Sequence, residues 1–358
     1  MKAAVVPASE ELANLAEVKE IPKPTIQDDQ ILIKAKAYAI NPTDWKHIVY
    51  KLSKPGDVIG SDVSGTIEEV GSKVTNFKKG DVVSSFVMGN VSPDSGAFAE
   101  YVVGYPGGTI KYNNGLDKPA NVEASVIDSY EGAASITLGL CTVAQSFSHY
   151  LKLGKRAQSG DSILIWGGAT ATGVLAIQVA KLVYNLNVIA TASPRNHEYL
   201  KELGADYVID YNDADVVNKI KAIGKVKFAL DTVSDARTYQ KVYDATEGTS
   251  EVYLDNLLNL TADSIKTDPK REGTVKFGQT LAYLSIIKEK DLFGTTLYQT
   301  PELLEEYNEW WNNVVPTIID KLKHTKLRIV PRGLSAADEA LKLSRDSKVS
   351  AEKIVFGT

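Results

Sequence analysis

The stretch Ile163–Lys181 reads ILIWGGATATGVLAIQVAK, and its reading decides the rest of the chain. An apolar run ends at Trp166, a turn of small residues follows, and from Val174 apolar residues recur at helical spacing. That pattern is a buried strand, a tight turn and a helix. A turn of this kind that holds a dinucleotide carries Gly-x-Gly-x-x-Gly. Gly168 and Gly173 meet the outer positions, but Thr170 stands where the middle glycine belongs. Taken alone, the turn is either a phosphate cradle or only a turn.

Its surroundings narrow the choice. From Glu131 onward helix and strand alternate. EGAASITLGLCTVAQSFSHYL reads as one helix of about five or six turns. Strands are expected at SILIW, NVIATA, YVIDY and FALDTVS, with helices over Val174–Tyr184, RNHEYLKELGA (closed by Gly204) and VVNKIKAIG. Strands joined by helices of this length form parallel, right-handed crossovers and an open doubly wound sheet. TYQKVYDATEG, EVYLDNLL and QTLAYLSI continue the alternation less clearly, and SIKTDPKREGTVKFG reads as loop. PELLEEYNEWWNNVVPTIIDKLKH is helical and expected to kink or break at Pro316; KVSAEKIVFGT reads as a strand. Before residue 125 the chain is a series of short strands, QILIKAKAYAI, SGTIEEVG, DVVSSFV and AFAEYVV, between turns at NPTD, KKGD and YPGG.

A chain of 358 residues predicts two domains, and 44% hydrophobic with 24% charged residues is an ordinary globular composition. A net charge of -5 argues against a nucleic-acid binder. The single cysteine, Cys141, permits neither an intramolecular disulfide nor a thiolate zinc cluster; packing in a helix is its expected role. MKAAVVPASEELANL has no apolar core of a signal peptide, and no apolar run reaches the roughly 20 residues of a membrane span. The cytosol is the expected location.

A helix N-terminus binds phosphate through its N–H groups and dipole. Thr170 and Thr172 add hydroxyls to such a cradle, while Ala171 and Gly173 keep it open. A second site follows the next strand, at TASPRN. An enzyme that selects NAD places Asp or Glu there for the ribose 2′-hydroxyl. Here Ser193, Arg195 and Asn196 stand instead, a set suited to a 2′-phosphate. Cofactor binding is therefore expected, with NADPH preferred and NADH left open. Tyr211, after the third strand, either flanks the adenosine phosphate or is a surface tyrosine.

In the first half, AINPTDWKH, GSDVSGTIEEVGSKVTNFKKGDVV and GAFAEYVV follow one another in an order that resembles the medium-chain dehydrogenase/reductase superfamily. Gly60 to Val83 carries the densest match, and the likeness extends through the glycine turn to KVSAEKIVF. It is most similar to the zinc-independent quinone reductase and enoyl reductase branch, including fungal enoyl reductases that act in trans with polyketide synthases. The resemblance implies an α/β chain with a GroES-like β-rich catalytic domain, 1–127 and 301–358, and a Rossmann-like NADP(H)-binding domain, 128–300.

Zinc alcohol dehydrogenases of this superfamily carry a cysteine in the first motif and His-Glu in the second. Here the first motif reads Asn41-Pro42-Thr43-Asp44, and Ser61-Asp62 replaces His-Glu. The four histidines, His47, His149, His197 and His324, show no ligand spacing, so no metal is expected. Hydride then goes to an already activated small molecule: an enal or enone, a quinone, or an aldehyde. Reduction of an enoyl or enone C=C or of a quinone is the first expectation. An aldehyde reductase on the same scaffold and a non-catalytic, crystallin-like nucleotide binder are the alternatives. The resemblance places Lys46 and Thr142 near the nicotinamide. Lys46 would bond an enolate oxygen or relay a proton, unless it is a solvated surface lysine. Asn41 would orient substrate or carboxamide and Asp44 is a further candidate, unless both only shape the turn at Pro42. Asp62 reads equally as a buried structural carboxylate. Of Trp310 and Trp311, core packing is the default, with one free to line a substrate wall or an interface. A monomer and a homodimer are both compatible. The loop-rich stretch Ser264–Gly278 is expected to precede an edge strand and to block or remodel pairing there.

Overall fold

A computed structural model of the chain describes residues 1–9, 12–292 and 295–358. Glu10 and Glu11, in the amino-terminal stretch read above, lie outside them. The chain forms two compact units, one of Met1–Leu138 with Lys323–Thr358 and one of Gly139–Leu322. The helix Pro301–Ile318 thus lies in the second unit, although the sequence reading assigned it to the first.

The first unit is built on the long strands Ile31–Ala39 and Asp62–Val70, which pair antiparallel. Val82–Phe86 and then Thr109–Lys111 extend the sheet beyond Asp62–Val70. On the other side the last strand of the chain, Glu352–Gly357, returns to pair with Ile31–Ala39, and Lys326–Ile329 lies beyond it. Tyr38, Phe98 and Phe356 are fully buried and meet ring to ring, at centroid distances from 5.0 to 5.8 Å. The NPTD segment is more than the expected turn. It opens the helix Pro42–Val49, with Asn41 at the N-cap and Asp44 Oδ2 accepting the Asn41 N–H at 2.7 Å.

The second unit holds six parallel strands in the order Tyr207–Ile209, Asn187–Thr191, Ser162–Trp166, Val226–Asp231, Val252–Asn256, Val275–Phe277. In chain order this is 3-2-1-4-5-6, the doubly wound arrangement whose order reverses between the first and fourth strands. The helix expected over residues 131–151 is broken. Tyr130–Ala134 and Thr137–Gln145 are separate, and Ser146–Tyr150 winds as a π-helix. The break has a cause: Leu138 N–H, which a continuous helix would give to a carbonyl one turn back, goes to Asp62 Oδ1 at 2.8 Å. Three other expectations change. The helix Pro301–Ile318 runs on past Pro316 without interruption. The stretch 264–278 contains the edge strand Val275–Phe277 instead of preceding it, and QTLAYLSI holds only the 3-10 turn Ala282–Ser285. Both tryptophans are buried: Trp310 Nε1 donates to Tyr184 Oη at 2.8 Å, and Trp311 stacks on Tyr307 at 5.6 Å.

The glycine turn closes tightly. A Cβ on Gly173 would lie 2.4 Å from the Gly167 carbonyl oxygen and 2.9 Å from Gly168 Cα, both backbone atoms that cannot swing away. Gly173→Ala is therefore expected to cost about 1–3 kcal/mol, or several degrees in Tm. Gly154→Ala, in the helix Leu153–Arg156 with nothing within 4 Å of the added atom, should leave Tm unchanged or raise it. Equal Tm for the two variants would contradict the close approach.

Candidate active site and cofactor edge

Asn41, Asp44 and Asp62 come together in the first unit, at the N-cap and first turn of Pro42–Val49 and at the start of Asp62–Val70. Asp62 is fully buried; Oδ2 accepts Asn41 Nδ2 at 2.8 Å and Oδ1 accepts Leu138 N–H. Lys353, from the returning last strand, donates to Asn41 Oδ1 and stands 3.5 Å from Asp62. Asp44, also fully buried, accepts Ser61 Oγ at 2.7 Å, and its carbonyl accepts Asn90 Nδ2 at 3.0 Å. Both ends of the Asn41 amide are thus engaged inside the protein. Burial pushes the Asp44 carboxyl up to about 7; the Ser61 and Asn41 donors oppose this, Asp62 adds to it and Lys353 opposes it. Burial also raises Asp62, against the pull of Lys353.

Lys46 is half-buried on the same helix, its ammonium 5.8 Å from the Trp45 ring centre. Burial lowers its pKa from lysine's ordinary value. Thr142 is buried in the helix Thr137–Gln145, in the second unit.

In the second unit the helix Ala171–Tyr184 starts directly behind the glycine turn. Thr170 is its N-cap, its hydroxyl accepting Gly173 N–H at 2.9 Å. The same hydroxyl donates to Thr232 Oγ1 at 2.9 Å, so its proton is directed into the protein. The leading N–H groups, of Ala171 and Thr172, have no carbonyl four residues back within the helix. Gly168 packs under the turn, where a Cβ would lie 2.9 Å from Ala190 Cβ. At the end of Asn187–Thr191, Ser193 Oγ and Tyr211 Oη share a hydrogen bond at 2.9 Å. Arg195 and Asn196 sit on the adjoining 3-10 turn Pro194–Asn196. The nearest carboxylate in the sequence, Glu198, pairs with Lys201 at 2.9 Å, and Asp210, beside Tyr211, bonds Asn212.

The sequence reading missed Lys353 and Thr232 as site residues. Lys353 had one weak signal: a charged residue directly before the apolar run Ile354-Val355-Phe356 of a strand. Thr232 had none, because a threonine after a strand end is unremarkable.

Two family models match the chain: the alcohol dehydrogenase GroES-like domain over residues 27–113 and zinc-binding dehydrogenase over 171–254. Trans-enoyl reductase ACTTS2 of Alternaria alternata is 32% identical, covering 95% of each chain. The chain belongs to the medium-chain dehydrogenase/reductase superfamily, in its enoyl reductase-like branch. It is an oxidoreductase that uses a nicotinamide dinucleotide and acts on a small molecule. An uncharacterized protein of Saccharomyces cerevisiae, YCR102C, is 34% identical over 95% of this chain and 96% of its own. The quinone oxidoreductase of Coxiella burnetii has a similar structure, with a TM-score of 0.68 and 25% identity over 100% of this chain and 99% of that one. No helix among the described residues is long and apolar enough to cross a membrane.

The second model's name raises zinc, and the donor sets can be tested for it. At Asn41, Ser61 and Asp62 the groups are an amide, a hydroxyl and one carboxylate, with the Lys353 ammonium beside them. Zinc needs about three nitrogen, sulfur or carboxylate ligands, so this set does not fit. Among the described residues the one other group, His149, Glu302 and Glu306, is ion-paired with Lys152 at 2.8 Å to Glu302 and Lys155 at 2.6 Å to Glu306. Both carboxylates of this group are thus already paired with lysine ammonium groups.

The Asp44 pKa has a sign that can be measured. The folded chain holds this proton up to about pH 7, whereas the ordinary value is 3.8. The folded state therefore binds more protons across that window, and this contribution to stability falls as pH rises through it. Asp44→Asn should flatten the decline of Tm between pH 5 and pH 8, each kcal/mol appearing as about 2–4 °C. Parallel Tm curves for the variant and the natural protein would contradict the shift.

Proposed function

We propose that the chain is a zinc-independent, NADPH-dependent reductase whose acceptor is the C=C of an α,β-unsaturated carbonyl, with a quinone as second choice. The observation that carries this reading is the Asn41–Asp62–Lys353 network, which takes the place of a Lewis acid. An acceptor that no metal polarises must be activated by its own conjugation. The likeness to a trans-enoyl reductase along nearly the whole chain supports the C=C.

Bound NADPH would supply the hydride; the protein holds, orients and neutralises. The N–H groups of Ala171 and Thr172, with the Thr172 hydroxyl, face the diphosphate, while Gly168, Thr170 and Gly173 keep the turn in shape. Ser193, Arg195, Asn196 and Tyr211 take the 2′-phosphate, which no carboxylate of that turn repels. Hydride arriving at the β-carbon leaves negative charge on the carbonyl oxygen. The Lys46 ammonium stabilises that charge, and its lowered pKa eases proton transfer to the enolate. Thr142 is the second candidate donor. Asn41 and Asp44, held inside the network, set the start of the helix that carries Lys46.

Two experiments test the reading. With deuteride-labelled NADPH, an enal and a chelator, deuterium should appear at the β-carbon of a saturated aldehyde; an allylic alcohol labelled at C1 would make this an aldehyde reductase. Arg195→Ala should raise the NADPH Kd about 10- to 100-fold, the value of a lost charge-assisted bond, and leave the NADH Kd within about threefold. Equal losses would contradict the 2′-phosphate site.

A further inference from the structure

The threonine at the middle position of the glycine turn has a partner in the loop that follows another strand. Thr232 begins the loop that leaves Val226–Asp231, the strand beside Ser162–Trp166 where the sheet order reverses. Its backbone N–H donates to the Trp166 carbonyl at 3.0 Å. Its hydroxyl donates to the same carbonyl at 2.8 Å, with Gly167 O at 3.0 Å. Since each hydroxyl has one proton, the order of bonds is fixed: Gly173 N–H to Thr170, Thr170 to Thr232, Thr232 to Trp166 or Gly167. This relay ties the first turn of the helix, the glycine turn and the neighbouring strand's loop into one unit. A glycine at position 170 has no atom with which to make it.

The far side of Thr232 is held as firmly. Asp231 accepts Val233 N–H at 3.0 Å, Ser234 N–H at 2.9 Å and Thr238 Oγ1 at 2.6 Å. Ser234 Oγ donates to Asp231 O at 2.6 Å and accepts Leu257 N–H at 2.8 Å, reaching the loop after the fifth strand. Thr232 is therefore a fixed point against which Thr170 can be set. A Cβ on Gly167 would lie 2.6 Å from Thr232 Oγ1, so the two chains already touch there.

We propose that Thr232 is a positioning residue for the dinucleotide diphosphate: through Thr170 it holds the turn so that the Ala171 and Thr172 N–H groups keep their binding geometry. This rests on the cofactor reading above. Thr232 acts through Thr170 and needs no contact with the ligand. Holding the turn beforehand removes the cost of ordering it on binding. The effect bears on the diphosphate, which NADPH and NADH share, so it is blind to the 2′-phosphate.

The test is titration of the purified protein and its variants with NADPH and with NADH, alongside the Tm of the cofactor-free proteins. Thr232→Val, close in shape but without the hydroxyl, should raise both Kd values by the same factor, about fivefold (one relay bond is worth about 1 kcal/mol). Thr232→Ser, which restores the relay, should stay within about twofold. Thr170→Val, which also removes the cap on Gly173 N–H, should show at least this loss, and the double variant should lose no more than the larger single loss, because one relay can be broken only once. Unchanged Kd values with a lowered Tm would reduce Thr232 to a structural role and overturn the proposal, as would single losses that multiply in the double variant. A loss confined to NADPH would overturn it too. If the natural protein binds neither dinucleotide, the cofactor reading itself fails, which the unsubstituted titration shows separately.

Discussion

The amino end of the helix Ala171–Tyr184 reaches the end of the strand Ser162–Trp166 only because residue 173 has no side chain. That approach places a helix N-terminus at the point where the sheet order reverses, the position at which doubly wound folds bind nucleotides. It also explains why the middle glycine is dispensable. The outer glycines answer to packing, Gly168 on Ala190 and Gly173 on the backbone of Gly167. The middle residue faces the helix start and the neighbouring loop, where a threonine can cap one and bond the other.

The first unit is organised by a different constraint. Two carboxylates, Asp44 and Asp62, are fully buried, and a buried charge must be paired or hydrogen-bonded. Asp62 gathers donors from three distant parts of the chain: Asn41, Leu138 and Lys353. A buried ammonium paired with Asp62 offers no open coordination position to a substrate. It also ties the last strand to the helix that carries Lys46, so a change at the end of the chain is felt at its candidate proton donor.

The doubly wound half was legible because its signals are local: apolar runs of strand length, amphipathic helices and a small-residue turn. The motifs of the first half made its β-rich character legible by likeness more than by pattern. What escaped were features decided by contacts far apart in sequence. The helix through residues 131–151 is broken by a carboxylate at position 62, which no periodicity in the helix records. Lys353 meets Asn41 across 312 residues. Core packing, the default reading for Trp310 and Trp311, holds for both: Trp310 donates to Tyr184 and Trp311 stacks on Tyr307, partners that the sequence did not name. Among the site residues, Ser193 and Tyr211 were named separately and meet in a hydrogen bond. Thr170 was named for a donor hydroxyl, and its proton turns inward.

Calorimetric titration of the protein with NADPH and then with NADH tests the account most directly. Binding of NADPH about tenfold or more tighter than NADH is expected, from the charge-assisted bonds available to a 2′-phosphate. Equal affinities would contradict the site at Ser193, Arg195 and Tyr211, and binding of neither would contradict the reading of the glycine turn as a phosphate cradle.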